Sequence, residues 1–274
     1  MTTIRRLTRA DLEPCLALAV DRDWPAERDK WRLLLDGSDV YGIDDPSGGL
    51  AATVVLTRYG AAVAFVGMML VASRRERRGL GRRLMTHALA QAGGATVVLY
   101  ATELGRPLYE RLGFRAVGIA TRYAGRFRGS ASERTRPAAV EDLPGVVALD
   151  AAAFGAPRAA LIASCFDRAA QLRVSERDGV LTGFAAGSRN LANTMIGPIV
   201  AADLATGRDL IADVAARVDG PVRFDLDERR HPLGSWAREQ GLEPADANAL
   251  MVHGDRPLPG DRARLIGPAT GALG

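Results

Sequence analysis

The sequence predicts an α/β (α+β) protein of two similar halves, each a mixed, twisted sheet flanked by helices. Two observations carry this prediction. Segments with helical spacing of apolar residues alternate with short strand-like runs, the pattern of helices layered on a sheet. Moreover, three stretches of the first half return in the second in the same order. Arg5, Asp11 and Leu12 recur as Arg136, Asp142 and Leu143, 131 positions on. Val66–Val71 is matched by Ile196–Ala201 at an offset of 130, and Tyr109–Phe114 by Ala237–Leu242 at 128. A nearly constant offset reads as a duplicated domain.

Taken in order, residues 12–20 and 27–35 carry helical spacing. Leu12, Leu16, Ala19 and Val20 share one face of the first helix, and Trp31, Leu34 and Leu35 one face of the second. Apolar runs at Val40–Ile43, Leu50–Thr57 and Val63–Val71 read as strands. A helix is expected over Leu80–Gln91, with Leu84, Ala88 and Leu89 apolar. Thr96–Ala101 is a buried strand, Pro107–Leu112 a short helix and Arg115–Tyr123 a last strand. The small, polar stretch Arg126–Glu133 marks a linker, which places the domains at 1–128 and 134–254. Residues 255–274 are rich in Pro and Gly and are expected to form a tail with little regular structure.

Composition narrows the function classes. The chain is 47% hydrophobic and 25% charged, ordinary globular proportions. No apolar run approaches the roughly 20 residues that span a bilayer, and no signal-peptide stretch opens the sequence, so a cytoplasmic protein is expected. The pI near 9.5 raises the possibility of nucleic acid. The positive charge is nearly all arginine, Lys30 being the one lysine, and it alternates with acids except around Arg74–Arg78 and Arg82-Arg83. That local patch suits a local anion site better than a duplex-binding face. Cys15 and Cys165 form no CxxC pair and read as two buried thiols. His87, His231 and His253 have no metal-ligand spacing.

Chemistry concentrates where the run Val63–Val71 ends. Ala72-Ser73-Arg74-Arg75-Glu76-Arg77-Arg78-Gly79-Leu80-Gly81 turns into a helix whose first N–H groups lack intrahelical partners. Glycines at 79 and 81 allow close backbone approach, and the helix dipole favours an anion such as phosphate. The loop is neither a Walker motif, lacking Gly-Lys-Ser/Thr, nor a Rossmann GxGxxG, since position 84 is Leu.

The pattern Val71-x-Ser73-x-x-Glu76-x-x-Gly79-x-Gly81-x-x-Leu84-Met85 resembles the acyl-CoA loop of the GCN5-related N-acetyltransferases, the GNAT superfamily. Downstream, Leu108-Tyr109-x-x-x-Gly113-Phe114 resembles the Leu-Tyr-x-x-x-Gly-Phe signature of the same superfamily. The resemblance covers roughly residues 3–125. The second half, with Ile196-Gly197-Pro198 and Leu250-Met251-Val252, resembles the degenerate partner domain of two-domain members. It implies tandem GNAT folds with splayed central parallel strands, here Val63–Val71 and Thr96–Ala101. It also implies acetyl-CoA as co-substrate and no metal. The amide-rich pantetheine arm would lie along Met69, Leu70 and Val71. The pyrophosphate would sit on the N–H groups of Arg77, Arg78, Gly79, Leu80, Gly81 and Arg82. The sequence departs from the family pattern twice: Ser73 replaces the usual Pro, and Glu76 stands where Arg or Gln is common.

The resemblance implies Tyr109 as general acid toward the departing CoA thiolate, a role suited to a phenol with an ordinary pKa of about 10. The general base is open. The strand Val63–Leu70 contains no acid where many members carry Glu; Glu103 at the strand end is the best placed, with Asp21, Asp23 and Asp36 as others. In the second half, Asp203 falls near where phosphate would sit, and Ala237 faces Tyr109 in the repeat. That half is expected to be structural, shaping the acceptor cleft, which Arg122 and Trp24 would border, or an interface. The expected activity is acetyl transfer from acetyl-CoA to a small-molecule or peptide amine. Neither nucleic acid nor membrane is an expected partner, and the chain would be a monomer or homodimer. The alternative is a non-catalytic acyl-CoA sensor.

Overall fold

The computed structural model describes residues 3–227 and 231–274; the His231 side chain lies outside that set. The chain divides into two compact units. The first holds Met1–Arg115, Met251–Arg256 and Leu273; the second holds Ala116–Leu250, Pro257–Ala272 and Gly274.

In the first unit β1 (Ile4–Arg6) leads to helices α1 (Leu12–Asp21) and α2 (Arg28–Gly37), then to the antiparallel strands β2 (Asp39–Asp44), β3 (Leu50–Tyr59) and β4 (Val63–Val71). Helix α3 (Leu80–Ala92) carries the chain to β5 (Thr96–Ala101), parallel to β4, and α4 (Arg106–Arg111) follows. The strand order is β1-β2-β3-β4-β5. Strand β3 is apolar at every position from Leu50 to Leu56 except Thr53, and all of these are buried, as expected for a strand covered on both faces. Helix α2 buries Trp31, Leu34 and Leu35, as its spacing predicts. Helix α1 buries Leu16 and Ala19 of the predicted face together with Cys15 and Leu18, while Leu12 is half-buried and Val20 is 57% exposed. Fully buried Leu34 and Leu84 each contribute on the order of 1.5–3 kcal/mol.

The unit is completed by a distant part of the chain. Strand β6 (Phe114–Gly125) begins here but runs past Arg115 into the second unit. The place beside β5 is taken by Met251–His253, the end of β12 (Glu243–His253). The Gly254 N–H donates to the Gly113 carbonyl at 3.0 Å, and Arg115 donates to the carbonyls of Gly254 and Arg256. This division differs from the expected boundary at 128–134. The physical reason is edge pairing: β5 must be covered, and the strand that covers it comes from the far end of the sequence.

The second unit contains β7 (Arg136–Pro137), α5 (Leu143–Phe154), α6 (Ala159–Arg168), β8 (Gln171–Arg177), β9 (Val180–Arg189) and β10 (Thr194–Ala201). Then come α7 (Leu204–Ala215), β11 (Val222–Asp227), α8 (His231–Glu239), β12 and β13 (Leu265–Gly267). Its strand order is β12-β6-β11-β10-β9-β8-β7, with β13 on β10. Residues 126–133 do not form a free linker. The N–H groups of Ser132 and Glu133 and the Ser132 hydroxyl all donate to the carboxylate of Asp213 on α7, at 2.7–3.1 Å. Residues 255–274 carry little regular structure besides β13, yet they are packed: Ile266 joins the second unit's core, and Ala269, Ala272 and Leu273 are buried.

Candidate active site

The parallel pairing of β4 and β5 runs from Val63↔Thr96 to Val66↔Leu99 and goes no further. Beyond it β4 carries a bulge: Thr53 faces Leu70 and Val55 faces Gly67, so Met68 and Met69 stand opposite Val54 alone. Met68 adopts φ +47, and its carbonyl accepts from the Thr53 hydroxyl at 3.0 Å. Among the described residues Gly67–Val71 thus pair with no residue of β5. Buried backbone groups of this kind need partners, and an amide-bearing ligand can supply them.

Eight residues, 72–79, join β4 to α3. Gly79 is the N-cap of α3 in the left-handed region, φ +75, with no side-chain cap. The N–H groups of Leu80, Gly81 and Arg82 therefore face outward from the helix end, while the Arg83 N–H is the first bonded inside, to the Gly79 carbonyl at 3.0 Å. Leaving aside Gly79 itself and its chain neighbours, no atom of the described residues lies within 4 Å of where a Cβ on Gly79 would stand. At Gly81, by contrast, a Cβ would stand 3.2 Å from Leu108 and 3.6 Å from Val71. The helix thus starts directly against the end of β4 and against α4, with open space before it.

The arginines of the loop sort into two sets. Arg74 and Arg75 both donate to Asp45, at 2.9 and 2.5 Å, whose side chain is fully buried. The Arg75 guanidinium, helped by the Ser47 N–H and hydroxyl, holds the Asp45 carboxyl well below the usual carboxylate range. Arg77, Arg78, Arg82 and Arg83 make no ion pair among the described residues and are exposed around the helix start. Glu76 is paired with Arg22 at 2.6 Å. Asp21 accepts from the Ser73 N–H at 2.6 Å and from its hydroxyl at 2.9 Å, the former holding its carboxyl low. Both departures from the family pattern thus have partners at the end of α1. Sequence reasoning considered Asp21 as a base and missed Arg22 and Asp45; no local signal ties either to the loop.

Tyr109 lies on α4 with its ring buried, 5.9 Å from that of Phe114 between centroids. Burial pushes its phenol up to about 12, so it is a protonated donor across the neutral range. Glu103 is exposed in the turn between β5 and α4, and no ion pair or side-chain hydrogen bond holds its carboxylate among the described residues. Of the other acids, Asp36 pairs with Arg9, and Asp23 is exposed at φ +59. His87 packs edge-on against Tyr41, and His253 against Phe114. Among the described residues no group of His, Cys, Asp and Glu could hold a metal ion.

The corresponding places in the second unit are closed. Strand β10 pairs in parallel with β11 only at Thr194↔Val222 and Met195↔Arg223. Further along, β10 takes β13 as an antiparallel partner, Ile199↔Gly267 and Val200↔Leu265. Only Ala202 and Asp203 separate β10 from α7. Asp203 caps the helix itself, accepting from the Thr206 N–H at 2.7 Å. Ala237 on α8 is fully buried. Arg122, expected at the acceptor cleft, pairs with Asp246 at 2.6 Å and Asp225 at 3.4 Å in this unit; Trp24 is half-buried between α1 and α2 in the first unit.

Comparison with known proteins agrees with this architecture. Residues 36–116 and residues 146–267 each match a family model described as an acetyltransferase (GNAT) domain. YitH of Bacillus subtilis, named an uncharacterized N-acetyltransferase, is 26% identical over 266 residues and covers 94% of both chains. A Pyrococcus horikoshii structure provisionally named an acetyltransferase superposes with a TM-score of 0.83 at 20% identity, covering 100% of this chain and 96% of that one. A tandem GNAT protein from the clavulanic acid biosynthesis pathway gives 0.64 at 16% identity, covering 94% and 99%. At these identities the two structures speak for the fold.

Proposed function

We propose that this chain, a two-domain member of the GNAT superfamily, transfers an acetyl group from acetyl-CoA to a primary amine by direct attack, at a site in its first unit. The observation that carries the reading is the uncapped start of α3, set at the end of a strand that has parted from its parallel neighbour and beside four exposed arginines that make no ion pair among the described residues. Outward N–H groups, a helix dipole and exposed cations together fit a pyrophosphate. The unpaired edge of Met69, Leu70 and Val71 fits the pantetheine amides. The N–H groups from Arg77 to Arg82 fit the phosphates, and the open space over Gly79 lets them come close.

At the reacting end, Tyr109 is the candidate acid. As the amine nitrogen bonds to the carbonyl carbon and the C–S bond breaks, Tyr109 gives its proton to the departing sulfur. Its buried phenol stays protonated at neutral pH, as this role requires. Glu103, exposed and unbraced, is the candidate base for the proton that the ammonium loses. The second unit, with its helix start capped by Asp203 and its strand gap taken by β13, has a structural role in this reading. A reducing, cytoplasmic compartment suits the free, buried thiols Cys15 and Cys165. Among the described residues no helix is long and apolar enough to cross a membrane.

The test combines calorimetry with thiol release. One CoA per chain, with thiol released from acetyl-CoA by at least one class of amine, is the expected result. Binding without release across peptide N-termini, lysine, polyamines, aminoglycosides and amino acids would favour the sensor reading, which the lack of any acid on β4 supports. Absence of CoA binding would sink both.

A further inference from the structure

The acyl-CoA loop is held by residues far from it in sequence, and its two departures from the family pattern are the points where it is held. Its first half is anchored throughout: Ser73 by Asp21, Arg74 and Arg75 by Asp45, Glu76 by Arg22. Its second half, from Arg77, makes no ion pair among the described residues. The Glu76 carboxylate is 48% exposed, one residue before the segment whose N–H groups and arginines would face phosphate. Unpaired, that carboxylate would repel a pyrophosphate; paired at 2.6 Å, it presents no net charge. The Arg22 side chain is only 20% exposed, so most of it is held against the protein.

Building on the acyl-CoA reading, we infer that Arg22 is a positioning residue of the CoA site that acts by neutralising Glu76, so that the carboxylate beside residues 77–82 does not repel the phosphates. Arg22 makes its contribution through Glu76. An ion pair kept only for stability would be needed from both sides equally. A neutralising partner is needed only while the acid is there.

This asymmetry is measurable. Calorimetric titration with CoA at low ionic strength compares the wild type, Arg22→Gln, Glu76→Gln and the double variant. Arg22→Gln should weaken binding about 5- to 10-fold, the scale of one uncompensated charge near the surface. Glu76→Gln should bind at least as tightly as wild type, and the double variant should return to within about twofold of it, because removing the acid removes the need for the arginine. The Arg22→Gln defect should shrink as salt screens the carboxylate. Thermal melts of all four proteins check that none is unfolded. Two results overturn the inference: unchanged binding by Arg22→Gln, or Glu76→Gln as weak as Arg22→Gln with no recovery in the double variant. A wild type that fails to bind CoA would overturn the acyl-CoA reading and this inference with it. If the wild type binds, either adverse result removes the inference alone.

Discussion

The two strand-to-helix junctions, β4 to α3 and β10 to α7, occupy the same place in two copies of one fold and differ in who satisfies the helix. At α3 eight residues intervene and the cap is Gly79, which has no side chain to donate to; the first N–H groups are left for a ligand. At α7 two residues intervene and the cap is Asp203, whose carboxylate takes the Thr206 N–H. The neighbouring strands repeat the contrast: β4 and β5 part and stay parted, whereas β10, on leaving β11, is met by β13. The fold thus offers an anion site and an amide-lined gap twice, and the second unit fills both with its own chain. The fold alone does not decide whether such a junction is open to a ligand; the hydrogen bonds left unspent do.

The largest expected effect lies where the first unit has a phenol and the second has Ala237. Tyr109→Phe keeps the packing and removes the proton. The kcat should fall about 100- to 10,000-fold, with little change in the KM for acetyl-CoA. Steady-state kinetics with any amine that turns over measures this, and an unchanged kcat with chemistry rate-limiting removes Tyr109 from the mechanism. The buried phenol also predicts that activity shows no loss of an acid near pH 10, since deprotonation is postponed to about 12.

Next comes the junction itself. Gly79→Val puts a β-branched residue at φ +75, where even an ordinary side chain costs roughly 1–2 kcal/mol, and adds bulk in the open approach to the helix end. CoA affinity should drop about tenfold or more by calorimetry. Equal affinity would mean that the ligand does not use the α3 terminus.

The smallest effect is the converse. Asp203→Ala uncaps α7 and should cost about 1 kcal/mol of stability, leaving CoA affinity unchanged, because the gap beside β10 remains closed by β13. Acid should sharpen the contrast. Burial alone would raise the Asp213 carboxyl, but hydrogen bonds from Thr135, Ser132 and the Glu133 N–H, with Arg217, bring it to about 2; Asp203 is also held low by its cap. Carboxyls lowered by folding stabilise above the ordinary pKa near 4, and that contribution is lost as pH falls toward 2. Helix α3 carries no acid. Hydrogen exchange between pH 4 and 2 should therefore find α7 losing protection before α3, and simultaneous loss would contradict this.

Features decided within a short stretch were legible before any tertiary structure. Thr96–Ala101 and Val63–Val71 fall at their predicted bounds, and the α3 start, Gly79 and Tyr109 stand on the predicted elements. Periodicity and Gly-x-Gly are local signals, and local geometry follows from them. The α1 face is half as expected, Leu16 and Ala19 being buried, and turned toward Cys15 and Leu18 rather than Leu12 and Val20, because both sets fit a helical stripe about equally well. In a helix so rich in apolar residues, the neighbours choose the face.

Other features required the folded chain. Which strand covers β5, what fills the gap beside β10 and what pairs with Ser73 and Glu76 are settled by residues about 50 to 150 positions away. An open strand edge or a bare carboxylate states only that a partner is needed. The sequence by itself determined the elements, their duplication and the uncapped helix with its arginines, because those depend on neighbours within a turn or a strand. Only the tertiary structure decided that β12 completes the first unit, that β13 fills the second and that Arg22 meets Glu76, because pairing over such distances depends on which surfaces remain unsatisfied once everything else has packed.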